Sequence, residues 1–158
     1  MHWQAGEAAI SKHVRCISGW ILDVVVDIRK GSKTWGQWCC WVLKGGNDYS
    51  DWHKSLVVPK GFAHGFQTLS KSATVLYEQD GLWSPEDERS FHPLDPDVAI
   101  AWDQGGGFNN FKLSKKDAGA GKLCEVPQSD LNFAQSPGGA FTQKTTTTAG
   151  VSLESNLR

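Results

Sequence analysis

From His13 to about Trp102 the chain alternates short apolar runs with turn residues, and β-branched and aromatic side chains are enriched throughout. Few stretches carry a helical period over helix length, so the pattern is that of a β protein. It predicts strands at residues 13–18, 20–28, 36–43, 54–59, 63–69, 73–79 and 98–102. Between them lie Gly19, Gly31, Gly45-Gly46-Asn47-Asp48, Gly61 and Ser84-Pro85, residue types that turns favour for backbone reasons. So many closely spaced strands imply two packed sheets or a barrel, of which a jelly roll is the simplest form. A small-molecule site would then lie in the mouth between the sheets.

Two features break the apolar pattern. In WILDVVVDIR, Asp23 and Asp27 are four residues apart and so share one face of a strand. Either a carboxylate there faces a cavity or that face is solvated. After Asp117 the chain becomes rich in Gly, Ser, Thr and Gln and loses its apolar period. Residues 1–125 are therefore expected to form one domain, ending in a short helical segment, and residues 126–158 a disordered tail.

Composition narrows the possible partners. The chain has 158 residues, 39% of them hydrophobic, enough for one core. With 16 basic and 17 acidic side chains there is no global field to recruit nucleic acid or an anionic membrane, although a local cluster can still bind a phosphorylated small molecule. No apolar run reaches bilayer length, and the opening MHWQAGEAAISKHVRC lacks a signal-type apolar stretch. A soluble, cytoplasmic protein is the expectation. Cys16, Cys39, Cys40 and Cys124 show no CxxC spacing, and adjacent Cys39 and Cys40 would point to opposite faces of a strand. Free thiols in a reducing compartment follow, rather than a zinc knuckle or a disulfide framework.

The five histidines, His2, His13, His53, His64 and His92, include no pair separated by a single residue. A β-barrel metal site usually wants such a pair followed by a carboxylate, so a metal-dependent oxygenase or isomerase is disfavoured. What remains is metal-free acid/base chemistry. It needs a base near neutral pKa, a second group to return a proton, and a donor for a developing oxyanion. His, Tyr and Lys side chains are all available. Taken singly, each has a structural counterpart: Tyr77 as a core tyrosine, Lys12 as a solvated edge residue, Asp117 as a helix N-cap.

The ordered segments HWQAGEAAISKHVRC, GWILDVVVDIRKGSKTWGQW, LVVPKGFAHGFQTLS, VLYEQDGLWSPEDE and LSKKDAGAGKL span roughly residues 2–123. Together they resemble the dTDP-4-dehydrorhamnose 3,5-epimerase family, and the combination of DVxVDIRKGSxTxGxW, PxGFAHGFxTLS and LY makes the resemblance specific. It implies a cupin-type jelly roll (a double-stranded β-helix), assembled as a homodimer, with no metal or organic cofactor. The implied substrate is a dTDP-linked 4-keto-6-deoxy sugar. Its ketone acidifies the protons on C3 and C5, so each centre is inverted through an enolate.

Carried over residue by residue, the resemblance implies His2 as general base and Asp117, from LSKKD, as the carboxylate that orients it and raises its basicity. Lys12 would stabilise the enolate oxygen, and Tyr77 would reprotonate from the opposite face. His64, in GFAHGF, would line the substrate pocket near the diphosphate. Trp83 stands where the family has a tyrosine and would stack near the nucleotide, with Lys116 adding charge near the phosphates and Gln4 a further substrate contact.

The chain also departs from the pattern. The family's motif has a longer lead-in ending in Arg-Gly-x-His, which implies that a substantial N-terminal region is missing here, with sheet edges exposed and nucleotide binding weakened. Residues 44–54 form a longer loop than the family's usual turn, and the Thr-rich tail has no counterpart. Two alternatives therefore stand beside the 3,5-epimerase: a single-site epimerase of a related sugar nucleotide, and a cupin that binds such a ligand without turnover.

Overall fold

A computed structural model describes residues 1–46, 55–102 and 112–133. The predicted strand residue Lys54, most of the long 44–54 loop with His53, and residues 134–158 of the expected tail lie outside the described residues.

Eight strands form: β1 (His2–Gln4), β2 (Lys12–Ser18), β3 (Trp20–Asp27), β4 (Trp38–Lys44), β5 (Ser55–Val58), β6 (Phe62–Thr68), β7 (Thr74–Gln79) and β8 (Glu88–Ser90). They make a five-stranded sheet, ordered β4-β3-β6-β1-β8, and a three-stranded sheet, ordered β5-β2-β7. All the pairings are antiparallel. The expected all-β jelly roll is the fold observed.

The continuous apolar run of β3 has a simple cause: both of its faces are covered. Ile21 and Val25 pack with Val14, Cys16, Val58 and Phe62 in the core between the sheets. Leu22, Val24, Val26 and Ile28 face the other way, into a second core with Trp3, Phe91, Val98, Trp102, Leu123 and Leu131. The second core lies under the C-terminal segment, which includes the one-turn helix α1 (Lys115–Ala118) and 3-10 turns at Leu123–Glu125 and Gln128–Leu131. Period-2 alternation therefore assigns Asp23 and Asp27 to the inter-sheet side, where both are fully buried. The solvated-face reading of these residues is corrected.

Asp27 explains much of the DIRKGSxT signature. Its Oδ1 accepts hydrogen bonds from Arg29 N and Nε at 3.0 Å each. Its Oδ2 accepts from Arg29 Nη2 at 2.7 Å, and from Ser32 Oγ and Thr34 Oγ1 at 2.6 Å each. Burial pushes this carboxyl's pKa up, but the hydrogen bonds from Arg29, Ser32 and Thr34 outweigh it and hold the group below its ordinary value. The motif thus shapes the β3–β4 connection. Gly19, at φ +76°, joins β2 to β3 where an added Cβ would come within 2.1 Å of Ser72 O.

Two expectations change. Residues 98–102 form no strand: Asp95 takes Asp97 N and Leu123 N on its two carboxyl oxygens, Ala99 N bonds Asp95 O, and Ala99 adopts φ +52°. Val98 and Trp102 are buried as a cover over the five-stranded sheet, so an apolar run was mistaken for a strand. Strands β1 and β8 were not anticipated, because three residues give no period to read.

Residues 126–133 are ordered, with Leu131 fully buried and Val126 and Phe133 packed on its core. Trp3 Nε1 donates to Asp130 O, and Arg89 Nε bonds Asp130 Oδ2 at 2.7 Å. Leu131→Ala is expected to cost about 2–5 kcal/mol, measured by urea unfolding. A loss below about 0.5 kcal/mol would show that this segment adds nothing to the core.

Candidate active site

A cleft of ≈ 960 Å³ opens along the inter-sheet face and is lined by His2, Lys12, His64, Tyr77, Trp83 and Asp117, together with Gln79 and Glu88. The two sheets supply different members. β1 pairs with both β6 and β8, and its alternation sends Trp3 into the outer core and His2 to the cleft. On the three-stranded sheet, Lys12 and Val14 of β2 pair with Gln79 and Tyr77 of β7. Val14 is core between the sheets, so Lys12, two residues earlier, looks the same way.

His2 Nε2 lies 2.6 Å from Asp117 Oδ1. Asp117 sits in α1, whose N-cap is Ser114: Ser114 Oγ accepts from Asp117 N at 3.0 Å and donates to Asp117 Oδ2 at 2.6 Å. The capping role therefore belongs to Ser114, and the helix turn fixes the carboxylate against the imidazole. Burial raises the Asp117 carboxyl's pKa, and hydrogen bonds from Ser114 and His2 more than offset it, leaving the group below its ordinary value. A carboxylate only accepts, so His2 Nε2 carries the proton and Nδ1, buried and without a hydrogen-bond partner among the described residues, is the unprotonated nitrogen.

The expectation that pairing makes His2 unusually basic is corrected. Burial, the largest influence, lowers its pKa below 6.5, while Asp117 and Glu88 pull upward without prevailing. The imidazole is thus neutral at pH 7. Glu88, which no sequence spacing singled out among the acidic residues of SPEDER, approaches His2 Nδ1 at 3.3 Å with Oε1 and holds Lys116 Nζ at 2.7 Å with Oε2.

His64 is only 4% exposed, and its Nε2 lies 2.9 and 3.0 Å from the two carboxyl oxygens of Asp23. Its ring meets Tyr77 edge-on at 6.0 Å. Desolvation and the charge of Asp23 push the Tyr77 pKa well up, so the phenol keeps its proton across the neutral range. Burial lowers the Lys12 pKa, while Glu88 and Asp23 favour its charge. Trp83 is 61% exposed at the cleft wall.

Two predicted contacts fall elsewhere. Gln4 is buried, and its amide is fully engaged: Nε2 donates to Ala8 O and Leu82 O, and Oε1 accepts from Ser84 N at 2.8 Å. It anchors the loop that carries Trp83. Lys116 is tied to Glu88 outside the cleft lining. Among the described residues, no three His, Cys, Asp or Glu side chains are grouped to hold a metal ion. No described helix is long and apolar enough to cross a membrane.

The family model for dTDP-4-dehydrorhamnose 3,5-epimerase matches residues 1–125. The chain belongs to the dTDP-4-dehydrorhamnose 3,5-epimerase family. It is 43% identical over 127 residues to the dTDP-4-dehydrorhamnose 3,5-epimerase of Salmonella typhimurium, covering 80% of this chain and 64% of that protein. It is 37% identical over 121 residues to the dTDP-4-dehydrorhamnose 3-epimerase of Streptomyces niveus, covering 77% of this chain and 54% of that protein. Among solved structures it resembles the Legionella pneumophila dTDP-6-deoxy-D-glucose-3,5-epimerase in complex with dTDP-4-keto-L-rhamnose. That match has a TM-score of 0.75 and 38% identity, over 85% of this chain and 67% of the other. The chain spans 62% and 64% of the lengths of two curated relatives. Members of this family are cupin-type jelly rolls, the architecture found here.

Proposed function

We propose that the protein epimerises C3 and C5 of a dTDP-linked 4-keto-6-deoxyhexose, giving the 4-keto-L-rhamnose nucleotide. The observation that carries the reading is the placement of His2, a neutral imidazole paired with the Asp117 carboxylate, and a protonated Tyr77 on opposite sheets of one cleft. Inversion needs a proton removed from one face of a carbon and returned on the other, and facing sheets provide both faces.

In this reading the His2 imidazole takes the proton α to the ketone, and Asp117 orients the ring and stabilises the imidazolium that forms. The electron pair of the broken C–H bond moves into the C4 carbonyl, and the Lys12 ammonium meets the resulting oxyanion. Tyr77 then delivers its proton to carbon, the carbonyl re-forms, and solvent returns the proton balance between Tyr77 and His2. Trp83 offers a face for the nucleotide base, and His64, held by Asp23, lines the wall toward the diphosphate. The likeness to the Salmonella and Legionella proteins supports inversion at both carbons; the likeness to the Streptomyces niveus protein supports the single-site alternative. Incubation with the 4-keto-6-deoxyglucose nucleotide in D₂O separates them: deuterium should enter C3 and C5, whereas entry at C3 alone would leave a 3-epimerase. We also propose a homodimer, supported by the exposed Ile17, Val57 and Leu76 of the three-stranded sheet; light scattering should return twice the chain mass.

The pH profile tests the base. His2 acts only when neutral, so kcat/KM should rise through a pKa below 6.5 and be level above it. Because Asp117 pulls that pKa upward, Asp117→Asn should move the acid limb to lower pH while reducing the plateau. A limb lying above pH 6.5 would rule out His2 as the base in this environment.

A further inference from the structure

We infer that Gln79 is a further catalytic residue, its carboxamide donating a second hydrogen bond, beside the Lys12 ammonium, to the oxygen on which enolate charge collects. This rests on the epimerase reading above and adds a residue to it.

The placement follows from strand geometry. In β7, Val75, Tyr77 and Gln79 alternate onto one face. Val75 packs against the inter-sheet core, and Tyr77 and Gln79 line the cleft. Gln79 is the Cα partner of Lys12 in the β2–β7 ladder, which sets their Cβ atoms about 4.5–5.5 Å apart on a shared face. Both side chains therefore start from neighbouring points and reach into the same part of the cleft.

The backbone beneath Gln79 is fixed on both sides. Tyr77 and Glu78 continue the ladder opposite Val14 and His13. Just beyond, Asp80 N bonds Ser11 O at 3.3 Å, and Ser11 N bonds Asp80 Oδ1 at 2.7 Å. The side chain itself is exposed, and no hydrogen bond to a described residue occupies it. Across the cleft, His2 is paired with Asp117, His64 with Asp23, and Glu88 with Lys116. On the three-stranded sheet, Lys12, Tyr77 and Gln79 keep their donors free among the described residues, two of them already assigned to enolate chemistry.

A ketone oxygen becomes a far stronger acceptor as it turns into an enolate oxyanion, so a donor aimed at it stabilises the transition state more than the bound substrate. Lys12 is a partly desolvated point charge; a neutral N–H donor adds a second bond without adding repulsion to that ammonium. The effect should appear in kcat, since KM reflects mainly ground-state contacts.

The test measures deuterium entry from D₂O into the dTDP-4-keto-6-deoxyhexose with wild type, Gln79→Ala and Gln79→Glu, and dTDP affinity by calorimetry. Gln79→Ala should lower kcat on the order of 10²-fold with KM and dTDP affinity unchanged. Gln79→Glu, the same size but an acceptor carrying negative charge, should be slower still. Wild-type rates in either variant, or a change confined to KM, would overturn the inference and leave the epimerase reading standing. A wild type that exchanges no proton would instead remove the epimerase reading, and this inference with it. Thermal melts showing all three proteins equally folded complete the comparison.

Discussion

His2→Ala is expected to slow solvent-proton exchange into the 4-keto sugar by on the order of 10³-fold, within the range that a positioned general base contributes. The loss should fall on kcat and kcat/KM together, because in the proposed mechanism the imidazole acts on the C–H bond as it breaks. Stability should change little, since the ring is a partly exposed member of the cleft wall, with a side-chain exposure of 27%. The check is deuterium wash-in followed by proton NMR, with His2→Gln beside it to keep a polar side chain of similar reach. If both variants exchange within about threefold of wild type, the base is another group and the Asp117 contact is structural only.

Asp23→Ala should be the most destabilising of these substitutions in the cleft wall, by about 1–3 kcal/mol, the usual cost of leaving a buried hydrogen-bonding group unsatisfied. Asp23 is fully buried, and it meets His64 Nε2 with both oxygens. Truncation leaves that nitrogen without an acceptor and opens a void beside Val25 and Phe66, the strand partners of His64 and Asp23. Asp23→Asn keeps the shape and one acceptor and should cost less. A double replacement, Asp23→Leu with His64→Leu, should recover most of the loss, because no buried polar group is then left unpaired. Urea midpoints of the four proteins decide the matter. A cost for Asp23→Ala below about 1 kcal/mol would place the pair among weak, solvent-screened contacts.

How much of this could be read in advance depended on whether a signal was periodic or local. The run from Trp20 to Ile28 announced a strand, and the structure supplies a core on each side of it. Asp23 and Asp27 interrupted that run in phase with Ile21 and Val25, so their shared face was legible; that the face was buried was not. HWQ at residues 2–4 is too short for any period, and β1 exists because β6 and β8 flank it. Conversely, VAIAW is apolar enough to look like a strand and is bent away from one by the carboxylate of Asp95.

The site divided in the same way. His2, Lys12, Tyr77 and Asp117 were identifiable by residue type within ordered motifs, and the fold brings all four to one cleft. Gln4 and Lys116 were assigned to substrate on the same grounds, yet the first is consumed in anchoring the loop before Ser84 and the second in an ion pair with Glu88. Glu88 and Gln79 carry no motif signal because their placement comes from register: one lies on β8 diagonally opposite His2, the other on β7 directly opposite Lys12.

The sequence by itself determined the β architecture, the family, and the chemical types brought to the site, because alternation and motif order are properties of the chain alone. Only the tertiary structure decided which polar groups remain free to act. Hydrogen-bond commitment and desolvation depend on neighbours from distant segments: Asp117 arrives 115 residues after His2. Burial of the assembled cleft then turns the imidazole less basic, against the upward pull of its own carboxylate partner.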